Sequence, residues 1–316
     1  MTLHEIPLEQ RTLHGHFSRD LEPILTVEPG DSIEFRTLDA GWGVGPPSDA
    51  RGTRDRFEPR DPVLDDGHPL VGPVEVRGAE AGQTLSVRID EVRVGAWGIT
   101  DAGGWSAPLN ERLGVAEGDT TTLVWELDAD AGSGRDQAGR EVDLRPFLGV
   151  LGMPPAESGV HSTTPPRVCG GNLDCKELVA GTTLYLPISV DGAHFSAGDG
   201  HARQGDGEVS HLAIEAPLER ARLTLGLRDD LRLTTPIAWT PEAWLTLGFD
   251  RDLDEAAAVA VDAMLELMQR EHGLGRREAL ALASVVVDLR VTQLVNEVQG
   301  VHAVLPHDAL RFTRMG

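Results

Sequence analysis

The 316-residue sequence predicts a mostly β protein with an α+β C-terminal part: β-sandwich or barrel-like subdomains followed by two late helices. Three observations carry that expectation. A strand, Gly-turn, strand grammar recurs three times; polar Gly- and Pro-rich stretches separate those units; and apolar spacing turns helical after Asp252.

In chain order, Ile24-Leu25-Thr26-Val27 runs into Glu28-Pro29-Gly30-Asp31, a turn signal, and Ser32 to Leu38 then alternates apolar and polar residues as a half-buried strand does. The same order returns at Val74-Glu75-Val76, Glu80-Ala81-Gly82-Gln83 and Thr84 to Val92. It returns again at Glu177-Leu178-Val179, Ala180-Gly181 and Thr182 to Pro187. Residues 41–72 are dense in Gly, Pro, Asp and Arg with little periodicity and read as a long loop, a candidate lid. Ala129 to Arg140 reads as a polar loop. Further on, Ala257, Val261, Met264, Leu265 and Met268 recur at helical spacing, with Asp252 or Asp254 to cap the start and Gly273 to stop the helix. From Arg276 to about Gln299 the chain reads as a second helix, alone or followed by irregular structure. A boundary is expected near residue 155, between an N-terminal β-rich subdomain (1–155) and a C-terminal α+β subdomain (156–316).

The formal charge of −23 and pI of about 4.7 make the chain a polyanion that repels phosphate backbones, which argues against nucleic acid and anionic membranes as partners. Lys176 is the single lysine. The first eleven residues hold no apolar core of signal-peptide type, and Ala279 to Val287 is too short to cross a bilayer, so a soluble cytoplasmic protein is expected. Cys169 and Cys175 are too few for a disulfide framework. Neither has an evident histidine partner, so structural thiols are expected rather than nucleophiles. There is no G-x-S-x-G elbow and no G-x-G-x-x-G between a strand and a helix, which sets aside serine-hydrolase and dinucleotide chemistry.

Chemistry concentrates in three places. Between Gly192 and Glu208, five glycines are interleaved with Asp199, Asp206, His194, His201, Gln204 and Glu208. Glycine lets several polar side chains converge on one point, and an Asp/His/Glu set can hold a divalent ion or move protons. Upstream, Asn172 and Asp174 are two apart and share a face if the segment is extended. Near the start, His14 and His16 form an H-x-H pair, which is either structural or metal-binding.

Taken with Leu184-Tyr185-Leu186-Pro187 and Ala213-Ile214-Glu215, these segments resemble the signature of the acetamidase/formamidase family. The central string runs from Gly198-Asp199 through His201-Ala202 to Gln204-Gly205-Asp206-Gly207-Glu208-Val209. The resemblance spans most of the chain, from His16, Asp20 and Pro23 to Asp31 as far as Asp288 to Asn296. It implies a β-rich fold, divalent metal binding and hydrolysis of short amides to acid and ammonia. Two positions depart: His194 stands where the family often has Leu, and Ser210 where Cys often follows.

On that basis Asp174, Asp199 and His201 are expected to hold a divalent metal, zinc first and calcium or another ion next, with His16 as a further ligand. Glu208 is expected as general base and acid, sharing the catalytic role with Asp206. Asn172, Gln204 and His194 are expected to contact substrate or water. The expected partner is a small amide, and the expected assembly a homo-oligomer, dimeric or dimer-based, because sheet edges need cover. Two alternatives stand beside this reading: a urea-like or carbamoyl substrate on the same scaffold, and a non-catalytic metal- or small-molecule-binding module.

Overall fold

The computed structural model describes residues 1–49 and 52–311. The chain is mostly β, with two late helices and one short earlier helix at Pro108–Leu113. A nine-stranded sheet runs in the order Leu3–Ile6, Ser32–Phe35, Leu218–Arg228, Thr84–Val94, Thr183–Pro187, Ile237–Trp239, Ala243–Asp250, Gln299–Pro306, Asp288–Gln293. A seven-stranded sheet is ordered Pro166–Arg167, Gly170–Asn172, Phe147–Gly152, Phe195–His201, Leu70–Val76, Leu13–His14, with Leu25–Val27 beside Leu70–Val76. A four-stranded meander is built from Trp97–Ala102, Thr121–Asp128, Ser133–Asp136 and Glu141–Asp143.

Strand alternation sends side chains to two different cores. Leu184 and Leu186 point into one cluster with Val87, Leu223, Leu151 and Phe195, which seals the two large sheets face to face. Tyr185, between them, leans on the other cluster, where Val301, Ala303 and Leu305 meet the helices. The layers are therefore seven-stranded sheet, nine-stranded sheet, helices.

The long helix, Leu253–His272, begins at Asp252, whose carboxylate accepts from the Asp254 N–H, and ends at Gly273 in the left-handed region (φ 67°). Its buried face is largely alanine and methionine: Ala256, Ala260, Met264 and Met268. Small residues let it lie close to the strand Ala243–Asp250. A Cβ at Gly248 would collide with the Ala256 carbonyl, while Thr246 Oγ1 donates to the Ala260 carbonyl at 2.7 Å.

Several expectations differ from the structure. Glu177 to Val179 is a turn, closed by Leu178 N–H on the Cys175 carbonyl, and only Thr183–Pro187 is strand. The stretch Ala129 to Arg140 contains one short strand of the meander, Ser133–Asp136, and leads into another, Glu141–Asp143. The second helix ends at Val286, and Asp288–Gln293 continues as a strand, because its alternation pairs it with Gln299–Pro306. Both large sheets take strands from either side of residue 155, so the boundary expected there does not follow a division between sheets. No described helix is long and apolar enough to cross a membrane.

Candidate active site

The Gly-rich run from Gly192 to Glu208 contains the strand Phe195–His201 at the centre of the seven-stranded sheet. Asp199 and His201 are two apart on it and face the same side. Across the ladder, Gly149 lies between the pairs Leu148–Gly200 and Val150–Gly198, opposite Asp199. A Cβ at Gly149 would run into Asp199 Oδ2 and stand 2.8 Å from Asp174 Oδ1. Glycine there leaves the space into which the carboxylates converge.

His201 Nε2 stands 3.2 Å from Asp199 Oδ2 and 3.2 Å from Glu215 Oε2. Two sets of ligand atoms share this imidazole: Asp174, His201 and Glu208, and Asp199, His201 and Glu215, each within 4.8 Å of one another. All five residues are buried. The other ring nitrogen, Nδ1, donates to Gln204 Oε1 at 3.0 Å, since an amide oxygen can only accept. That bond leaves Nε2 free to act as a ligand. Gln204 also donates to the Asp174 carbonyl at 2.8 Å, and Asn296 donates to Asp174 Oδ2 at 2.5 Å.

Three of the carboxylates sit on strained backbone. Asp174, Asp199 and Glu208 have φ of 47°, 60° and 46°, in the left-handed region that non-glycine residues enter at a cost of about 1–3 kcal/mol each. Asp174 does not reach the site by extended alternation from Asn172: the strand ends at Asn172, and the left-handed turn delivers Asp174.

The electrostatics are those of too many charges in one dry place. Burial, then the charge on Asp174, lifts the Glu208 carboxyl well above the usual carboxylate range. Burial also lifts Asp174, to about 8, and raises Glu215, against the pull of His201. Asp199 is held low: burial opposes this, but His201 and His68 outweigh it. His201 is raised well above the ordinary imidazole value, because Glu215 and Asp199 overcome its burial. One imidazolium cannot balance four carboxylates. Several oxygens remain without any hydrogen bond: Asp174 Oδ1, Asp199 Oδ1, Glu208 Oε2, Glu215 Oε2 and Asn172 Oδ1. Buried oxygens without donors around one imidazole nitrogen are a donor set that fits a divalent cation.

The cluster forms the floor of a cavity of about 250 Å³, whose walls include Ile99, Leu212, Asn172 and His211. The 41–72 segment supplies Gly41, Arg54 and His68 to the same cavity. It is anchored there by the ion pair of Arg54 Nε with buried Asp39 Oδ2 at 2.6 Å and by Trp42 Nε1 donating to the Gly67 carbonyl at 2.7 Å.

Of the expected site residues, Asp174, Asp199, His201, Glu208 and Asn172 come together. Gln204 is beside them, but its amide is committed to His201 and Asp174 rather than to the cavity. Asp206 points away and pairs with Lys176 at 2.6 Å. His16 bonds through Nδ1 to the Leu64 carbonyl at 2.9 Å and belongs to no ligand grouping among the described residues. His194 precedes the strand at the end opposite His201, near Glu75 and Glu22, and the six steps from Phe195 to His201 alone span about 20 Å at 3.3 Å per residue. Glu215, His68, Asn296 and Gly149 were given no role from sequence. A carboxylate between Ile214 and Ala216 was the available signal for Glu215; His68 sits in an aperiodic loop and carried none.

Comparison with known proteins shows the family of the chain. The pattern of the Acetamidase/Formamidase family matches residues 3–162 and 156–225. A formamidase of Methylophilus methylotrophus is 28% identical over 274 residues, covering 68% of this chain and 64% of its own length, so the chain spans under two thirds of that relative. Among solved structures, a predicted acetamidase/formamidase from the thermophile Thermoanaerobacter tengcongensis superposes with a TM-score of 0.82 at 26% identity, covering 97% of this chain and 96% of its own. An acetamidase from Bacillus halodurans gives 0.81 at 27% identity, covering 95% and 97%.

Proposed function

This chain belongs to the acetamidase/formamidase family, and on that premise we propose that it is a metal-dependent hydrolase cleaving the C–N bond of a small linear amide to a carboxylic acid and ammonia. The observation that carries the reading is the convergence of unpaired carboxylate oxygens on His201 at the floor of a 250 Å³ cavity. That volume lies below the roughly 300–1,000 Å³ of drug-sized pockets and suits a small substrate.

Asp174, Asp199, His201 and Glu215 would hold the divalent ion, zinc first by the mixed nitrogen and oxygen donors. When bound, such an ion polarises an amide carbonyl and acidifies a water. The chain's own residues do the rest. Gln204 fixes the His201 ring and the Asp174 backbone. Asn172 turns an unpaired amide oxygen to the cavity, where it can accept from the substrate N–H₂. Glu208, a member of the cluster at the cavity floor, would act in its ionised form, taking a proton from the attacking water and passing it to the amide nitrogen, so that ammonia leaves. Ile99 and Leu212 limit the acyl group.

The test is ammonia release by the purified full chain on formamide, acetamide, longer amides and urea, with elemental analysis of the same sample. Release from short amides with metal bound supports the reading. Release from urea alone moves the substrate to the urea-like class, and no release from any of them refutes hydrolysis. Exposed Leu280, Val285 and Leu289 flank the edge strand Asp288–Gln293 and support a homo-oligomer, which light scattering would measure.

A further inference from the structure

Away from the cavity, Cys175, Glu177 and His302 bring one ligand atom each within 4.8 Å of the others, and all three residues are buried. Cys175 Sγ lies 3.5 Å from Glu177 Oε2, and His302 Nε2 lies 3.4 Å from the same oxygen. In a tetrahedral zinc site with Zn–S of about 2.3 Å and Zn–N and Zn–O of about 2.0 Å, the S···O edge is about 3.5 Å and the N···O edge about 3.3 Å. The two measured edges match.

Outer contacts hold each ligand in that pose. His302 is fully buried, and its Nε2 makes no hydrogen bond, while Nδ1 meets Thr292 Oγ1 at 2.8 Å. Arg290, the direct cross-strand partner of His302, donates to the other Glu177 oxygen, Oε1, at 3.0 Å. The imidazole is thus oriented at Nδ1 and free at Nε2, and the carboxylate is oriented at Oε1 with Oε2 accepting from the Cys175 thiol, the arrangement that outer partners give to metal ligands.

We propose that Cys175, Glu177 and His302 form a second, structural metal site of zinc type, distinct from the cluster around His201. Loading it displaces the thiol proton and any proton on His302 Nε2; no electron moves and no bond between carbon atoms changes. The thiolate and the carboxylate balance the two charges of the cation. The site ties the turn that carries Asp174 to the hairpin of Asp288–Gln293 and Gln299–Pro306, and so braces the strained backbone one residue before Cys175.

The test is cobalt(II) reconstitution of the metal-free full-length chain, read by absorption. A near-ultraviolet thiolate-to-cobalt charge-transfer band requires a cysteine ligand, and the His201 cluster contains no sulfur. The band is expected in the unmodified chain and in Cys169→Ser, and is expected to vanish in Cys175→Ser with loss of one cobalt per chain. Should Cys175→Ser fail to fold, His302→Gln keeps the thiol and is expected to lose the same cobalt. A cobalt-loaded chain without the band, or a band that survives Cys175→Ser, overturns the proposal. Either result leaves the ammonia-release assay untouched, so the two readings fail separately.

Discussion

Asp174 and Cys175 are neighbours in the chain and face different surroundings. Asp174 enters a group of four carboxylates around one imidazole, open to a cavity and rich in oxygens without donors. Cys175 enters a group of three buried residues, where Arg290 and Thr292 occupy the outward atoms and none of the three lines the cavity at the His201 cluster. The left-handed backbone at Asp174 turns its carboxylate into the first group after the strand ends at Asn172, and Cys175 follows on a different side. Unmet polar atoms meet open space in the first group, whereas in the second the unmet His302 Nε2 is enclosed by fully buried surroundings.

That contrast can be broken by substitution. The largest effect is expected from Glu208→Gln, which keeps the shape and removes the proton carrier: kcat for amide hydrolysis should fall by about 10²–10⁴-fold, with the metal retained. A variant with unchanged turnover would remove Glu208 from the chemistry. Next, Glu177→Gln weakens the part-buried contact to Arg290 and the buried one to His302 and should cost about 1–3 kcal/mol of stability in urea unfolding. Turnover of the folded fraction should stay within about threefold, because no Glu177 atom borders the cavity. If it fell as far as in Glu208→Gln, the two clusters would be one functional unit.

A smaller loss should follow Gln204→Ala, which frees the His201 ring. Metal affinity should drop about 10–100-fold, measured by competition with a chelator, as for other outer partners of metal ligands. Unaltered affinity would show that packing alone orients His201. The smallest effect is expected from Asp206→Asn. Its partly exposed pair with Lys176 is worth at most about 1 kcal/mol, and ammonia release should stay within twofold. A collapse in turnover would return Asp206 to the catalytic role that the sequence suggested.

Much of this molecule was readable before folding. Alternation at Ser32 to Leu38 and Thr84 to Val92 marked strands, and the caps Asp252 and Gly273 marked the long helix, because both signals are local. The string from Asp199 to Glu208 marked the site. What failed was equally physical. Glu177 to Val179 looks like a strand by composition and is a turn, because its hydrogen bonds close locally. Asp206 sits two residues from Glu208 and looked equivalent, yet the turn between them sends one to Lys176 and the other into the cluster.

The sequence by itself determined the β-rich class, the late helices and the family, since periodicity, caps and a long motif are written in consecutive residues. Only the tertiary structure decided that Glu215, His68 and Asn296 join Asp199 and His201, that His16 and His194 do not, and that Gly149 leaves the room. Those outcomes depend on strands far apart in the chain lying side by side, and on φ values at Asp174, Asp199 and Glu208 that no local preference favours.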